Sequence, residues 1–186
     1  MLKTPMNIEE FESRKRDHIQ HALNAASQAQ GLNGLDAVHL IHEAMPEINL
    51  DEIDLKTPCL GRPLETPFYI AGMTAGHADA PSLNLRMAKL CAKRGWAMGV
   101  GSQRRELHRD SESVDHWQKL RELTPDLILF ANLGISQLIE TPTEKVKQLI
   151  DSIKANAIAI HLNALQECMQ PEGTPQIGRA SCRERV

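Results

Sequence analysis

Aromatic residues are scarce in this chain: one tyrosine, two tryptophans and three phenylalanines make up 3% of its 186 residues. Platforms that stack nucleic-acid bases need more rings than that. A basic field is missing too, because 21 Lys and Arg stand against 24 Asp and Glu and leave a formal charge of −3. The chain is therefore not read as a nucleic-acid binder. No apolar run is long enough to span a bilayer, so no membrane partner is expected. The opening stretch MLKTPMNIEEFESRKRDH lacks the continuous apolar segment of a secretory signal. The four cysteines, Cys59, Cys91, Cys168 and Cys182, form no CxxC pair. They read as free thiols of a reducing cytoplasm, not as a disulfide framework or a thiolate zinc site.

What the sequence does have is enough apolar material, 41%, for one ordinary core, and a rhythm. From residue 67 onward, short apolar runs alternate with helical patterns. PFYIAG is followed by SLNLRMAKLCAKRG, where Leu83, Met87, Leu90 and Cys91 share a face and Gly95 is a natural stop. WAMGVG is followed by SVDHWQKLREL, with Val114, Trp117 and Leu120 on one face. LILFANLG precedes a helix whose start reads Thr141 as N-cap, Pro142 as first helical residue and Glu144 as closing a capping box. Val146, Leu149, Ile150 and Ile153 form its apolar stripe, and AIAIHLN is the fourth run. Continuous apolar runs predict strands buried on both faces, as in a parallel sheet. Their spacing of roughly 30 residues is that of a βα unit. The fold class is α/β, with an open doubly wound sheet and a (β/α)8 barrel as the two architectures.

Polar residues at the ends of the runs favour the barrel. Thr74, Ser102, Asn132 and Asn163 each stand directly after an apolar run, and residues at the carboxyl ends of successive barrel strands converge on one mouth. Polar loop-entry residues are common wherever strands end, but four in phase point to a shared site. Ahead of the first run, DLKTPCLGRPLETPFYI reads as a hairpin around Leu60-Gly61, able to plug the bottom of a barrel. Before it, NIEEFESRKRDHIQHALN reads as an amphipathic helix with Ile8, Phe11, Ile19 and Leu23 near one side, ended by Gly31 and Gly34.

Individual residues carry two readings each. Arg14, Lys15 and Arg16, with His18 one turn on, could grip a phosphate; a solvated helix face balanced by nearby acids is the simpler account. Gly99–Gly101 with Ser102, Gln103 and Arg104 is a weak glycine signal and no Walker loop. Glu167 suits Mg²⁺, which takes one or two carboxylates and the rest of its shell from phosphate and water; an exposed loop carboxylate is the ordinary alternative. His161, alone inside a strand pattern, reads more simply as a satisfied core residue than as a catalyst.

RKRDHI, AGMTAG, GVGSQR, FANLG and HLNALQECMQPEG, in this order and spacing, resemble the type 2 isopentenyl-diphosphate delta-isomerases, FMN-dependent (β/α)8 barrels of isoprenoid synthesis. The resemblance covers about residues 7 to 175. It implies flavin contacts from Gly72, Met73, Thr74, Ser102 and Asn132. It implies substrate contacts from Arg14, Lys15, Ser102, Gln103, Arg104 and Gln166, with Mg²⁺ held by Glu167. No side chain is implied as the catalyst, because reduced FMN, with NADPH as reductant, acts as the acid–base agent. Isopentenyl and dimethylallyl diphosphate would be the substrate pair, and the full-length protein a homo-oligomer. Ala75 stands where the family usually has glycine. The other readings are a different FMN barrel such as a 2-hydroxy-acid oxidase, or a non-catalytic half-barrel that self-associates.

A complete barrel takes about 250 residues, and only about four βα units are present. The expected organisation is an N-terminal helix and hairpin over residues 1–66, the first half of the barrel over 67–176, and a non-native tail over 177–186. A chain of that extent is expected to bind FMN poorly and to be inactive by itself.

Overall fold

A computed structural model describes residues 8–28, 34–73, 79–108, 111–169 and 173, without the side chains of residues 8–12, 14, 15, 108 and 111–114. The expected tail over 177–186 lies outside the described residues, as do Thr74, Ala75 and Gly76. The chain opens with α1 (Ile8–Leu23) and reaches an antiparallel hairpin, β1 (Thr57–Cys59) and β2 (Arg62–Leu64). Four parallel strands come next: β3 (Tyr69–Ile70), β4 (Ala97–Gly99), β5 (Leu129–Gly134) and β6 (Ala157–His161). Between them run α2 (Ala80–Arg94), α3 (Ser111–Leu123), the short α4 (Ile135–Glu140) and α5 (Thr143–Ser152), and α6 (Ala164–Met169) closes the series.

The strands lie side by side in chain order, β3-β4-β5-β6, every pair parallel. A doubly wound sheet reverses its strand order at a switch point; among the described residues there is no reversal. The architecture is mixed α/β with a parallel sheet.

Alternation along the strands separates two apolar layers. On the helix side, Met98, Val100, Leu129 and Ala131 pack with Ala88 and Cys91 of α2, Trp117 and Leu120 of α3, and Ile153. Each fully buried Leu, Ile or Met side chain contributes about 1.5–3 kcal/mol. On the opposite face, Ala97, Ile128 and Phe130 meet Leu64 and Cys59 of the hairpin. The hairpin is also tied down by Glu65 N–H donating to Gly95 O at 3.0 Å and by Arg62 donating to Asp126 O at 2.8 Å. Both anchors precede a strand, so the hairpin covers the amino ends of the sheet, as expected from its sequence. Its turn has φ of 52° at Leu60 and 74° at Gly61. Two successive positive φ values are what a two-residue type I′ turn needs.

Several expectations change. In α2 the core face carries Ala80, Asn84, Ala88 and Cys91, while Leu83 and Leu90 are exposed. Small residues let the helix axis approach the sheet, which longer leucines on that face would prevent. Thr141 does not start α5. Its hydroxyl donates back to Gln137 O at 2.6 Å and closes α4, and Pro142 itself occupies the N-cap position of α5 without a side-chain cap. The α5 stripe holds, with Val146, Leu149 and Ile153 buried. α1 stops at Leu23, before either glycine, because the Asn24 side chain accepts from Ala26 N–H and redirects the chain. Leu23 is exposed. β6 is half-buried along its whole length, unlike β4, since it is an outer strand. Among the described residues no helix is long and apolar enough to cross a membrane, and Cys59, Cys91 and Cys168 are free thiols.

Candidate functional site

The parallel order brings the carboxyl ends of β4, β5 and β6 together. Their exits carry Ser102–Gln103, Asn132 and His161–Asn163. Register sets the closest pair: β6 pairs with β5 so that Ala159 stands opposite Asn132 and His161 opposite Gly134. Asn132 and His161 therefore share a face, and His161 Nδ1 lies 2.7 Å from Asn132 Oδ1. A carboxamide oxygen only accepts, so this contact places the imidazole proton on Nδ1 and leaves the Asn132 amide group free to donate.

Gln103 braces Asn132 from the turn that follows β4. Its backbone N–H donates to Asn132 O at 2.9 Å, and its Oε1 accepts from Asn132 N–H at 3.3 Å. The side chain is fully buried, and its Nε2 has no partner among the described residues. An amide donor left unpaired in that position is costly unless a ligand or water oxygen meets it. Ser102 and Arg104 are half-buried beside it.

The segment after β6 forms a second linked set. Asn163 donates to Gln166 Oε1 at 2.8 Å, and Gln166 Nε2 lies 3.1 Å from His18 Nε2. With its oxygen engaged, Gln166 presents its amide nitrogen to the imidazole. The bond spans 148 residues and lays α1 over the carboxyl end of β6. Positions 14 and 15 fall in the turn of α1 just before His18, though their side chains lie outside the described residues. Glu167 is buried in the first turn of α6.

At the first strand, Gly72 is half-buried and Met73 is exposed. A Cβ at Gly72 would overlap the Val100 carbonyl, so glycine is required there for β3 and β4 to converge. The Gly72 backbone also bonds the Tyr69 phenol, which partly offsets the upward push that burial gives its pKa. Thr74 lies outside the described residues.

The structure thus joins Gln103, Asn132 and His161 into one set and His18, Asn163 and Gln166 into another, both at the carboxyl ends. Sequence pattern alone leaves His161 as a core residue; its place at the exit of a strand, two residues before Asn163, is the available signal. Tyr69 has none. A cavity of about 380 Å³ lies elsewhere, between the hairpin and the ends of α2 and α3, lined by Arg62, Leu64, Trp96 and Leu127. It is at the opposite, amino end of the sheet.

The residues present fit a bound flavin on two counts: the Asn132 amide donor and the orphaned Gln103 Nε2 both serve a heteroaromatic ring bearing carbonyl acceptors. For a divalent cation the donor set is thinner. Among the described residues no group of three His, Cys, Asp or Glu is placed to hold a metal. Glu167 could supply one carboxylate, with phosphate and water completing the shell.

Comparison with known proteins agrees with the resemblance carried by the motifs. The chain is similar to the isopentenyl-diphosphate delta-isomerase of Legionella pneumophila, 49% identical over 165 residues, which are 89% of this chain and 48% of the relative. The enzyme of that name from Bdellovibrio bacteriovorus is 48% identical over 169 residues, again 89% and 48% of the two chains. That from Halobacterium salinarum is 40% identical over 171 residues, 91% and 47%. The chain spans about half the length of the curated relatives it matches. Residues 10–124 match the model of the FMN-dependent dehydrogenases, and the chain belongs to that family.

Proposed function

We propose that this chain is part of an FMN-dependent isopentenyl-diphosphate delta-isomerase, converting isopentenyl diphosphate to dimethylallyl diphosphate, and that its sheet is the first half of a (β/α)8 barrel. Residues 1–66 are read as the N-terminal helix and hairpin, 67–176 as the half-barrel and 177–186 as a tail outside it. The carrying observation is that the sequentially ordered parallel strands bring Gln103, Asn132, His161, Gln166 and Glu167 to one end, where barrel enzymes hold their ligands.

Bound reduced FMN, regenerated by NADPH, supplies the acid–base chemistry at the allylic carbons. The chain's residues bind and orient around it. Gly72, Met73, Thr74, Ser102 and Asn132 line the flavin, with Asn132 held as a donor by His161. Gln103, buried beside Asn132 at the carboxyl end, offers its unpaired Nε2 to a substrate oxygen. Arg14 and Lys15 would bind the diphosphate, with Ser102 and Arg104 near the substrate, and Gln166 would contact the substrate. Glu167 would hold Mg²⁺, which would offset the diphosphate charge. A cytoplasmic homo-oligomer is proposed on the resemblance alone.

The test joins residues 1–169 to the remaining length of the Legionella relative and assays isomerisation with FMN, NADPH and Mg²⁺. Turnover is expected, and Glu167→Gln should raise the Mg²⁺ requirement at least tenfold. An FMN-loaded hybrid that oxidises a 2-hydroxy acid and leaves isopentenyl diphosphate untouched would favour the second reading, which the family's dehydrogenase description keeps open.

A further inference from the structure

Every residue from Gly34 to Lys56 is exposed. Yet the stretch carries nine large apolar side chains in the open, among them Leu40 at 91%, Ile41 at 98%, Met45 at 83% and Leu50 at 83% exposure. Its internal order is local: two 3₁₀ turns, Leu35–Ala37 and Leu50–Glu52, the second closed by reciprocal bonds between Asn49 and Glu52. Apolar surface on this scale, contiguous in sequence, marks an interaction site.

Its ends are pinned at opposite ends of the sheet. Upstream, α1 meets the carboxyl end through His18 and Gln166. Downstream, the hairpin closes the amino end through Leu64, Glu65 and Arg62. The stretch must therefore run the height of the sheet. No described element covers it. The chain spans about half the length of its relatives, so the longer protein has a comparable length of polypeptide available to cover it. The stretch also carries six carboxylates, from Asp36 to Asp54, against the single cation of Lys56; the surface complementary to it is apolar with a rim of Lys and Arg.

We infer that residues 35–55 are a docking strap for the remaining βα units of the barrel in the longer protein. This rests on the barrel reading above, but not on the reaction assigned to it.

Hydrogen exchange tests it on the chain alone and on the hybrid with the Legionella remainder. In the chain alone, amides 35–55 are expected to exchange at near-random-coil rates at every protein concentration. In the hybrid they should slow at least 100-fold. Replacing Leu40 and Ile41 together by Asp should leave the melting of the chain alone unchanged and cost the hybrid at least tenfold of that protection. Protection that appears in the chain alone and rises with its concentration would assign the strap to a second copy and overturn the proposal. So would free exchange of 35–55 in a hybrid whose Leu129–Gly134 strand is protected. If that strand is not protected, the intact Legionella relative is measured over its aligned segment, and free exchange there overturns the proposal too. A hybrid that protects the strap but does not isomerise would count against the reaction only.

Discussion

Arg121 holds the lower half of the sheet together, and replacing it should show how much. Near the end of α3, it is buried, and among the described residues no carboxylate is within ion-pair distance of it. Its guanidinium instead donates to five backbone carbonyls: Ile153 at 3.0 Å, Leu127 at 2.7 Å, Lys154 at 2.9 Å, and Thr124 and Pro125 at 3.3 Å. These carbonyls belong to the turns entering β5 and β6, so one side chain fixes both strand starts. Burial lowers its pKa from the ordinary value, and Arg62 adds to this while Asp126 opposes it; a guanidinium stays charged regardless. Arg121→Met keeps the stem and removes every donor. Losing the charge-assisted bonds to the buried Leu127 and Ile153 carbonyls costs about 1.5–3 kcal/mol each. The outer carbonyls regain water, and the desolvation cost of the charge is relieved. The net loss is about 3 kcal/mol, which for a chain of this size lowers Tm by about 6–12 °C. Arg121→Lys, with one point donor in place of a planar fork, should recover less than half. Circular-dichroism melts at pH 7 decide the matter. A drop under about 2 °C for Arg121→Met would show that these carbonyls are satisfied without Arg121 and refute the reasoning.

Two further outcomes are expected from the same structure. Leu60 takes a φ of 52° in the hairpin turn while half-exposed, so Leu60→Asn should stabilise by about 0.5–1 kcal/mol, since Asn-Gly is the preferred type I′ pair; a lower Tm would contradict the turn assignment. His116, half-buried against Trp117, has its pKa lowered by burial and by Lys119. An unfolded chain then binds the proton more readily, so stability is full above the ordinary His pKa of about 6.5 and declines as pH falls below it. His116→Gln should flatten the decline in urea midpoint below pH 6.5, and an unchanged slope would remove His116 as its source.

Part of this architecture is legible in the residues. The hairpin can be read because Leu60-Gly61 interrupts two extended pieces, and the α5 stripe because its apolar residues recur at one period only. α2 misleads because two faces share that period. Leu83 and Leu90 are the more apolar, but Ala88 and Cys91 are the ones small enough to lie against β4. Thr141 fits an N-cap pattern, yet its hydroxyl is spent on the helix before it. The Asn132–His161 contact joins residues 29 apart and depends on strand register, which hydrophobic pattern alone does not set to the residue. Arg121 looks like any surface cation in the sequence, since its partners are backbone carbonyls with no sequence signature.

The register also explains why the site has one mouth. On the face of β5 turned from the helices, Ile128, Phe130 and Asn132 alternate upward. The first two meet Leu64 and Cys59 of the hairpin, and the third meets His161 and Gln103. One period-2 series thus passes from an apolar floor under the hairpin to a polar rim over residues 128–132. The hairpin covers the amino end, and the parallel direction of the strands puts the polar exits of β4, β5 and β6 at the other. A flat ligand resting on that face would meet Phe130 beneath it and, among the described residues, the Asn132 and Gln103 amides at its rim.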